Sequence, residues 1–351
     1  MKSGIFVRLF GDLTPAGLVA LFGLVAMLIL LPFVFSGYIM TVAIMVFYLA
    51  FVGQAWNLML GFAGLLSLGH ALFVGLGAYT AGYLFAKQGV PPVIGVFAGI
   101  AVAVAMGSAI GYLGFRFSIG GVYFALLTIA FAEFTRIIVD HVKFLGGTEG
   151  LFLPVTQESR RGADLINMRG SPEMFYFVIL ALSFAALIFC RWLLSGRIGY
   201  YWRAVRDNPE AAAAVGVDLF RYRMYAVMIS AGMSAIAGVF YAFFYNNLFP
   251  EQVFGIERSI EATLAPIVGG VGTLFGPIFG AFILTPLGEL LTSLVEWLQH
   301  NNIIDKRVKV DGVKLLFWSI AVASIVLLQP RGLWPFICRI LRLTKKIEGK
   351  R

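Results

Sequence analysis

Long apolar stretches, separated by short polar or glycine-bearing breaks, run along nearly the whole chain. Each is about 20 residues, the length a helix needs to cross some 30 Å of hydrocarbon. The pattern predicts spans over residues 16–35, 38–59, 64–85, 92–115, 120–140, 174–194, 223–245, 257–272, 274–298 and 313–329. The expected fold is an all-α polytopic membrane protein of about ten transmembrane or re-entrant helices, forming a single transmembrane domain over residues 1–351. The stretch 257–272 is short, and both it and 64–85 are glycine-rich, so either is expected to be broken or re-entrant. The run 18–35 follows Lys2 and Arg8 in the manner of a secretory signal. Its length and its weak small-residue cleavage pattern favour a retained membrane helix.

Composition sharpens this reading. Hydrophobic residues make up 60% of the chain and charged residues 13%, with mean hydropathy +0.89, outside the range of soluble globular domains. With both termini on the cytoplasmic side, that side carries 16 Lys+Arg against 5 Asp+Glu, and the other side 11 against 12. The bias places the loop 195–222 and the basic tail 331–351 in the cytoplasm and the loop 141–173 outside, in the periplasm. The outer loop opens with Gly146-Gly147-Thr148-Glu149-Gly150 and is either a landing surface for a partner or a solvated connector. The tail, with Arg339, Arg342, Lys345, Lys346, Lys350 and Arg351, reads as an anchor against anionic lipid, not a nucleic-acid site.

Several chemistries are missing. No G-x-x-x-x-G-K-[ST] loop is present, so energy for any transport must come from elsewhere. Neither His-Glu-x-x-His nor Gly-x-Ser-x-Gly occurs, and there are no paired intramembrane aspartates. His70, His141 and His300 are far apart, as are Cys190 and Cys338, so neither a metal site nor a disulfide is expected, and no cofactor. Glu289 is the most deeply placed acid, either paired within the bundle or coupled to transport.

Two segments carry the candidate pathway. The first holds six glycines between Gly61 and Gly82, with Gln54, Asn57, Ser67, His70 and Thr80 as polar groups able to face a passage. For His70 alone, an interhelical hydrogen bond is the expected role. In the second, Thr263, Gly269 and Gly270 lie between or beside Pro266 and Pro277, which mark a helix break at membrane depth. Interrupted segments in opposite halves of a membrane chain point to a translocation pathway.

The remaining motif is polar. Residues 201–216 form an arginine-bearing island between apolar runs, read as a short docking helix. Asn208 suits an N-cap, Pro209 the first helical position, Glu210 the positive end of the dipole, and Gly216 the C-terminal stop.

Several strings together resemble the inner-membrane permeases of branched-chain amino-acid ABC importers. They are the run from Gly61 to Ala71, Gly77-Ala78-Tyr79, Gly146 to Gly150, Arg206 to Ala212, Val268 to Gly272 and Gln329-Pro330-Arg331-Gly332-Leu333. Glu210-Ala211-Ala212 followed by Gly216 is similar to the E-A-A-x-x-x-G coupling loop of ABC import permeases. The resemblance implies a multi-pass subunit of the bacterial inner membrane, of the type with the longer periplasmic loop, and no enzyme. Its partners would be a second, homologous permease, two ATP-binding subunits and a periplasmic solute-binding protein. Arg203, Arg206, Asp207, Asn208, Glu210, Ala211, Ala212 and Gly216 would couple it to the ATPase, with the two arginines on the partner's acidic rim. The charged stretch 300–314 is longer than the family pattern. Urea, aromatic acids or another small polar solute are alternative cargoes, and an ion-driven secondary transporter is an alternative class.

Overall fold

The computed structural model describes residues 23, 27–35, 37–155, 163–301, 310–329 and 332–341. The helices are α1 (Tyr38–Asn57), which runs on into a π-helical turn (Leu58–Phe62), α2 (His70–Gln88), α3 (Pro92–Arg116) and α4 (Val122–His141). After them come α5 (Pro172–Ser195), α6 (Arg197–Asp207), α7 (Pro209–Ala214), α8 (Leu219–Tyr245) and α9 (Pro250–Phe254). The last are α10 (Ile256–Gly269), α11 (Gly276–His300), α12 (Val310–Leu328) and α13 (Leu333–Leu341). Among the described residues six helices are long and apolar enough to cross a membrane: α1 with its π turn, α3, α4, α5, α8 and α11. Of the other elements counted from hydropathy, α2, α10 and α12 are helices outside that set, and most of the stretch 16–35 lies outside the described residues.

The two elements expected to be broken or re-entrant, the third and the eighth, are both interrupted. The third begins only at His70, because residues 63–69 leave the helix between Gly64, at φ 74°, and the Gly69 cap. The eighth ends at Gly269 after 14 residues, about 21 Å of helix, too short for the hydrocarbon core. It also starts deep. Leu248 accepts from the Tyr79 hydroxyl in the middle of α2, whereas Ser259 accepts from the Ala71 N–H at the first turn of α2. Between those contacts the chain descends two turns of α2 inside the bundle, with α9 as its first helical turn and Phe254 stacked on Tyr79. The segment 249–275 thus runs inside the bundle from the end that carries the paired strands to the opposite end, as an interrupted path of α9 and then α10.

α8 is the central helix, with 78% of its apolar window buried. It lies against α2 at backbone distance: a methyl group on Gly238 would stand 1.9 Å from the Val74 carbonyl oxygen. Gly77, on the facing surface, meets the Ala235 backbone in the same way. Such contacts explain the glycine density of α2, since close backbone approach is how helices gain packing when lipid supplies no hydrophobic drive. A smaller cluster of Val46, Ala50, Ala265, Val268, Ala281 and Leu284 ties α1 to α10 and α11. Outward-facing Val93, Ile94, Phe97, Leu126, Phe134, Ile137 and Ile138 give α3 and α4 an apolar exterior suited to lipid.

The loop after α4 is built rather than open. Its strand β1 (Leu151–Phe152) pairs antiparallel with Asn247–Leu248, and Ala163–Asp164 pairs with Arg169–Gly170. Arg169, 7% exposed, hydrogen-bonds Asn246 Oδ1 and the Pro154 carbonyl, and lies over the rings of Phe85 and Phe243. At the opposite end, α13 packs Trp334 against Phe275 and Phe279, with ring centroids 5.1 and 4.8 Å apart. Part of the expected basic tail is therefore an amphipathic helix lodged beneath the α10–α11 turn; residues 342–351 lie outside the described residues.

Candidate functional site

The α6–α7 unit forms as its local chemistry dictates. α6 buries Gly199, Trp202 and Val205, one face of a helix at spacing three, and Trp202 Nε1 donates to the Tyr222 carbonyl at 2.8 Å, fixing α6 to α8. Asn208 Oδ1 accepts from the Ala211 N–H at 3.0 Å, with Pro209 at the first helical position. At the far end Gly216 N–H donates to Ala213 O and Val217 N–H to Ala212 O, a left-handed closure at Gly216 φ 87°. Ala212 is the one buried residue of α7, and Glu210, Ala211 and Ala213 face out. Val215 is 80% exposed. A helix of six residues capped at both ends and left uncovered is a rigid projection.

Arg203 and Arg206 both turn back onto the chain. The Arg203 guanidinium donates to the Gly199 and Leu194 carbonyls and lies 4.8 Å from the Tyr200 ring centre. Arg206 pairs with Asp207 at 3.0 Å and also reaches inward, where Nη1 donates to the Gly61 carbonyl at 2.6 Å. The guanidinium of Arg206 thus reaches the π turn of α1.

At that point the two interrupted segments meet. Asn57 Oδ1 accepts from the Gly272 N–H and Nδ2 donates to the Thr273 carbonyl, both at 2.8 Å. Gly272, at φ 75°, lies so close to Gly61 that a methyl group on Gly61 would stand 2.6 Å from the Gly272 nitrogen. Asn57 is 2% exposed. Asn57 therefore holds the break after α10 against the end of α1, and Arg206 ties the adjoining π turn to α6. Thr273 completes the turn, donating to Gly270 O and accepting from Gly276 N–H at the start of α11. Across the turn, a methyl group on Gly269 would stand 1.7 Å from the Gly276 carbonyl oxygen, so both segments are held at backbone contact.

Irregular backbone inside a membrane protein must be satisfied by its neighbours. Around 63–69 it is. Trp56 Nε1 donates to Ser67 O at 2.7 Å, and Thr128 Oγ1 accepts from Leu68 N–H at 3.1 Å. His70, fully buried, lies 3.1 Å from Ser67 Oγ through Nδ1 and 2.8 Å from Ser230 Oγ through Nε2. Ser230 spends its proton on the Ala55 carbonyl, which makes it an acceptor from Nε2–H and leaves Nδ1 to accept from Ser67. His70 is thus the interhelical hydrogen-bonding residue expected of it.

The other expected pathway residues are not gathered here. Thr80 is half-buried further along α2, and Thr263 donates within its own helix to Ile260 O. Glu289 accepts from the Tyr38 hydroxyl at 2.7 Å and lines a separate cleft with Glu257 and Glu261. Among the described residues no group of three His, Cys, Asp or Glu is placed to hold a metal. Gly61, Thr128, Ser230, Ser259 and Thr273 were not singled out in the sequence as partners of these breaks. The one local signal was the i, i+4 pair Ser230 and Ser234 on α8, which puts two hydroxyls on a single helix face.

A helical membrane bundle whose broken segments meet beside a short capped helix points to a solute pathway, as in a permease. The chain belongs to the branched-chain amino-acid transport permease family: the family model described as branched-chain amino acid transport system / permease component matches residues 38–327. It is 28% identical over 298 residues to the high-affinity branched-chain amino acid transport system permease protein LivM of Escherichia coli (strain K12), covering 78% of this chain and 69% of that one. The probable LivM permease of Methanocaldococcus jannaschii is 23% identical, covering 81% of this chain and 89% of that protein. The high-affinity branched-chain amino acid transport system permease protein LivH of Escherichia coli (strain K12) is 22% identical over 270 residues, covering 73% of this chain and 85% of LivH. No solved structure matches the chain.

Proposed function

We propose that this chain is one of two homologous permease subunits of an ATP-binding-cassette importer in the bacterial inner membrane. Both termini and the 195–222 loop face the cytoplasm, and the 141–173 loop receives a periplasmic binding protein. The cargo is a branched-chain or related apolar amino acid. Two separate ATPase subunits grip α7 and drive the cycle.

The observation that carries this reading is the capped, uncovered α7 adjoining Arg206, whose guanidinium ends on the break in α1. A rigid projection with a direct hydrogen bond into the bundle can transmit a push. The excess of Lys and Arg on the α6–α7 side supports the orientation. The existence of two permeases, LivM and LivH, named for one E. coli system, both similar to this chain, supports the paired arrangement. A zwitterion needs only transient screening from lipid, for which glycine-walled surfaces and neutral polar groups suffice, consistent with the scarcity of charge within the spans.

The test is purification of the chain with its neighbouring gene products, followed by uptake in proteoliposomes. ATP-dependent leucine accumulation that requires the binding protein is the expected outcome. Uptake by the chain alone, driven by an ion gradient, would overturn the proposal.

A further inference from the structure

We propose that the double clasp made by Asn57 and Arg206 is the inner gate of the transport path, and that the path runs along the Gln54 side of α1. This rests on the importer reading above and names where in the chain the motion of α6–α7 takes effect.

Three independent observations converge on this place. First, the clasp gathers at the two interrupted segments: Asn57, the last residue of α1, holds Gly272 and Thr273 of the second break, and Arg206 of α6 holds Gly61 in the π turn. These three bonds are made by side chains, so they open without unwinding a helix, which is the property a gate requires. Second, the segment that Arg206 grips is a π-helical turn at the end of α1, a wider, under-wound i→i+5 ladder of a kind that concentrates at functional sites. Third, Gln54 lies one helical turn from Asn57 on the same side of α1, is 3% exposed, and neither its Nε2 nor its Oε1 has a partner. A buried carboxamide left unsatisfied at both ends is costly in the closed chain and finds partners only if water or a polar solute reaches it. Ser234, also fully buried with an unpaired hydroxyl, lies one turn along α8 from the Ser230 that touches Ala55. When α6 moves, Arg206 leaves Gly61, Asn57 releases Gly272, and the next polar group inward is Gln54.

The experiment uses the complete importer in inside-out vesicles. Cys190 and Cys338 are replaced by alanine, and Ala63, 2% exposed beside the clasp, is changed to cysteine. A membrane-impermeant maleimide is expected to react slowly at rest and about tenfold faster during ATP turnover, as release of one charge-assisted hydrogen bond would give. Adding Asn57→Leu should make the resting rate as fast as the turnover rate. In parallel, Arg206→Gln should lower solute moved per ATP about tenfold while hydrolysis continues, and Arg206→Lys should restore part of that ratio. Gln54→Leu should raise thermal stability and reduce uptake.

Equal labelling at rest and in turnover, unchanged by Asn57→Leu, would overturn the gate. Parallel loss of hydrolysis and uptake in Arg206→Gln, with no change in their ratio and no rescue by lysine, would reduce that residue to a structural support. Undiminished uptake by Gln54→Leu would remove the path from that side of α1. Failure of the unmodified chain to purify with an ATPase would instead strike at the importer reading, so the two failures are separable.

Discussion

Gly238 and His70 illustrate two ways in which single residues hold this bundle. Gly238 has no room for a side chain, because the obstacle 1.9 Å away is the backbone oxygen of Val74. Gly238→Ala should therefore push α2 from α8 and destabilise the protein by about 3 kcal/mol, read as a lowered unfolding midpoint in detergent. His70 contributes through its two hydroxyl partners. His70→Ala should cost about 1–2 kcal/mol of stability, with the KM for solute unchanged, because the imidazole is consumed by Ser67 and Ser230. An altered KM with unchanged stability would place His70 in the path instead. Ser67, three residues away, was in view with His70, but Ser230 was not: it is 160 residues from His70, and a single sequence carries no record of which hydroxyl a distant helix presents.

At the scale of elements, α7 was legible almost residue by residue because its determinants are local. An Asx cap, a proline and a terminal glycine act over three or four positions, and all are within one short segment. Asn208→Ala should weaken the helix by about 1 kcal/mol, and Gly216→Val, which must hold φ 87°, by about 1–2 kcal/mol. The space around Gly216 is empty, so the second variant acts through backbone strain alone. Both should insert normally, while Glu210→Lys should abolish uptake without any loss of stability. Measurement of ATPase co-purification alongside uptake separates these outcomes. The breaks at 63–69 and 270–275 were likewise announced by glycine and proline. Their mutual contact was not, since Asn57 and Gly272 stand 215 positions apart and Arg206 and Gly61 stand 145 apart. At α10 the short, glycine-rich stretch announced an interruption, but not its surroundings. An apolar segment inside protein has much the same composition as one facing lipid, and the contacts of Ser259 and Phe254 show which this is.

For the whole molecule, sidedness is the property most directly checked. Val215→Cys should be labelled by an impermeant reagent only in inside-out vesicles, and Ile166→Cys, on the opposite loop, only in intact spheroplasts. The reverse pattern would invert every functional assignment made for α7. The two ends also differ in construction: one is covered by paired strands anchored through Arg169, the other by helices laid against the interrupted segments. That second arrangement bears on practice. Trp334 wedges against Phe275 and Phe279, and Gly332 touches the Gly270 backbone. A reporter enzyme fused directly after residue 328, a common way to map which side a helix emerges on, would delete this wedge. The hybrid would report its orientation faithfully while being mechanically crippled, so loss of transport in such a fusion says nothing about where the solute binds.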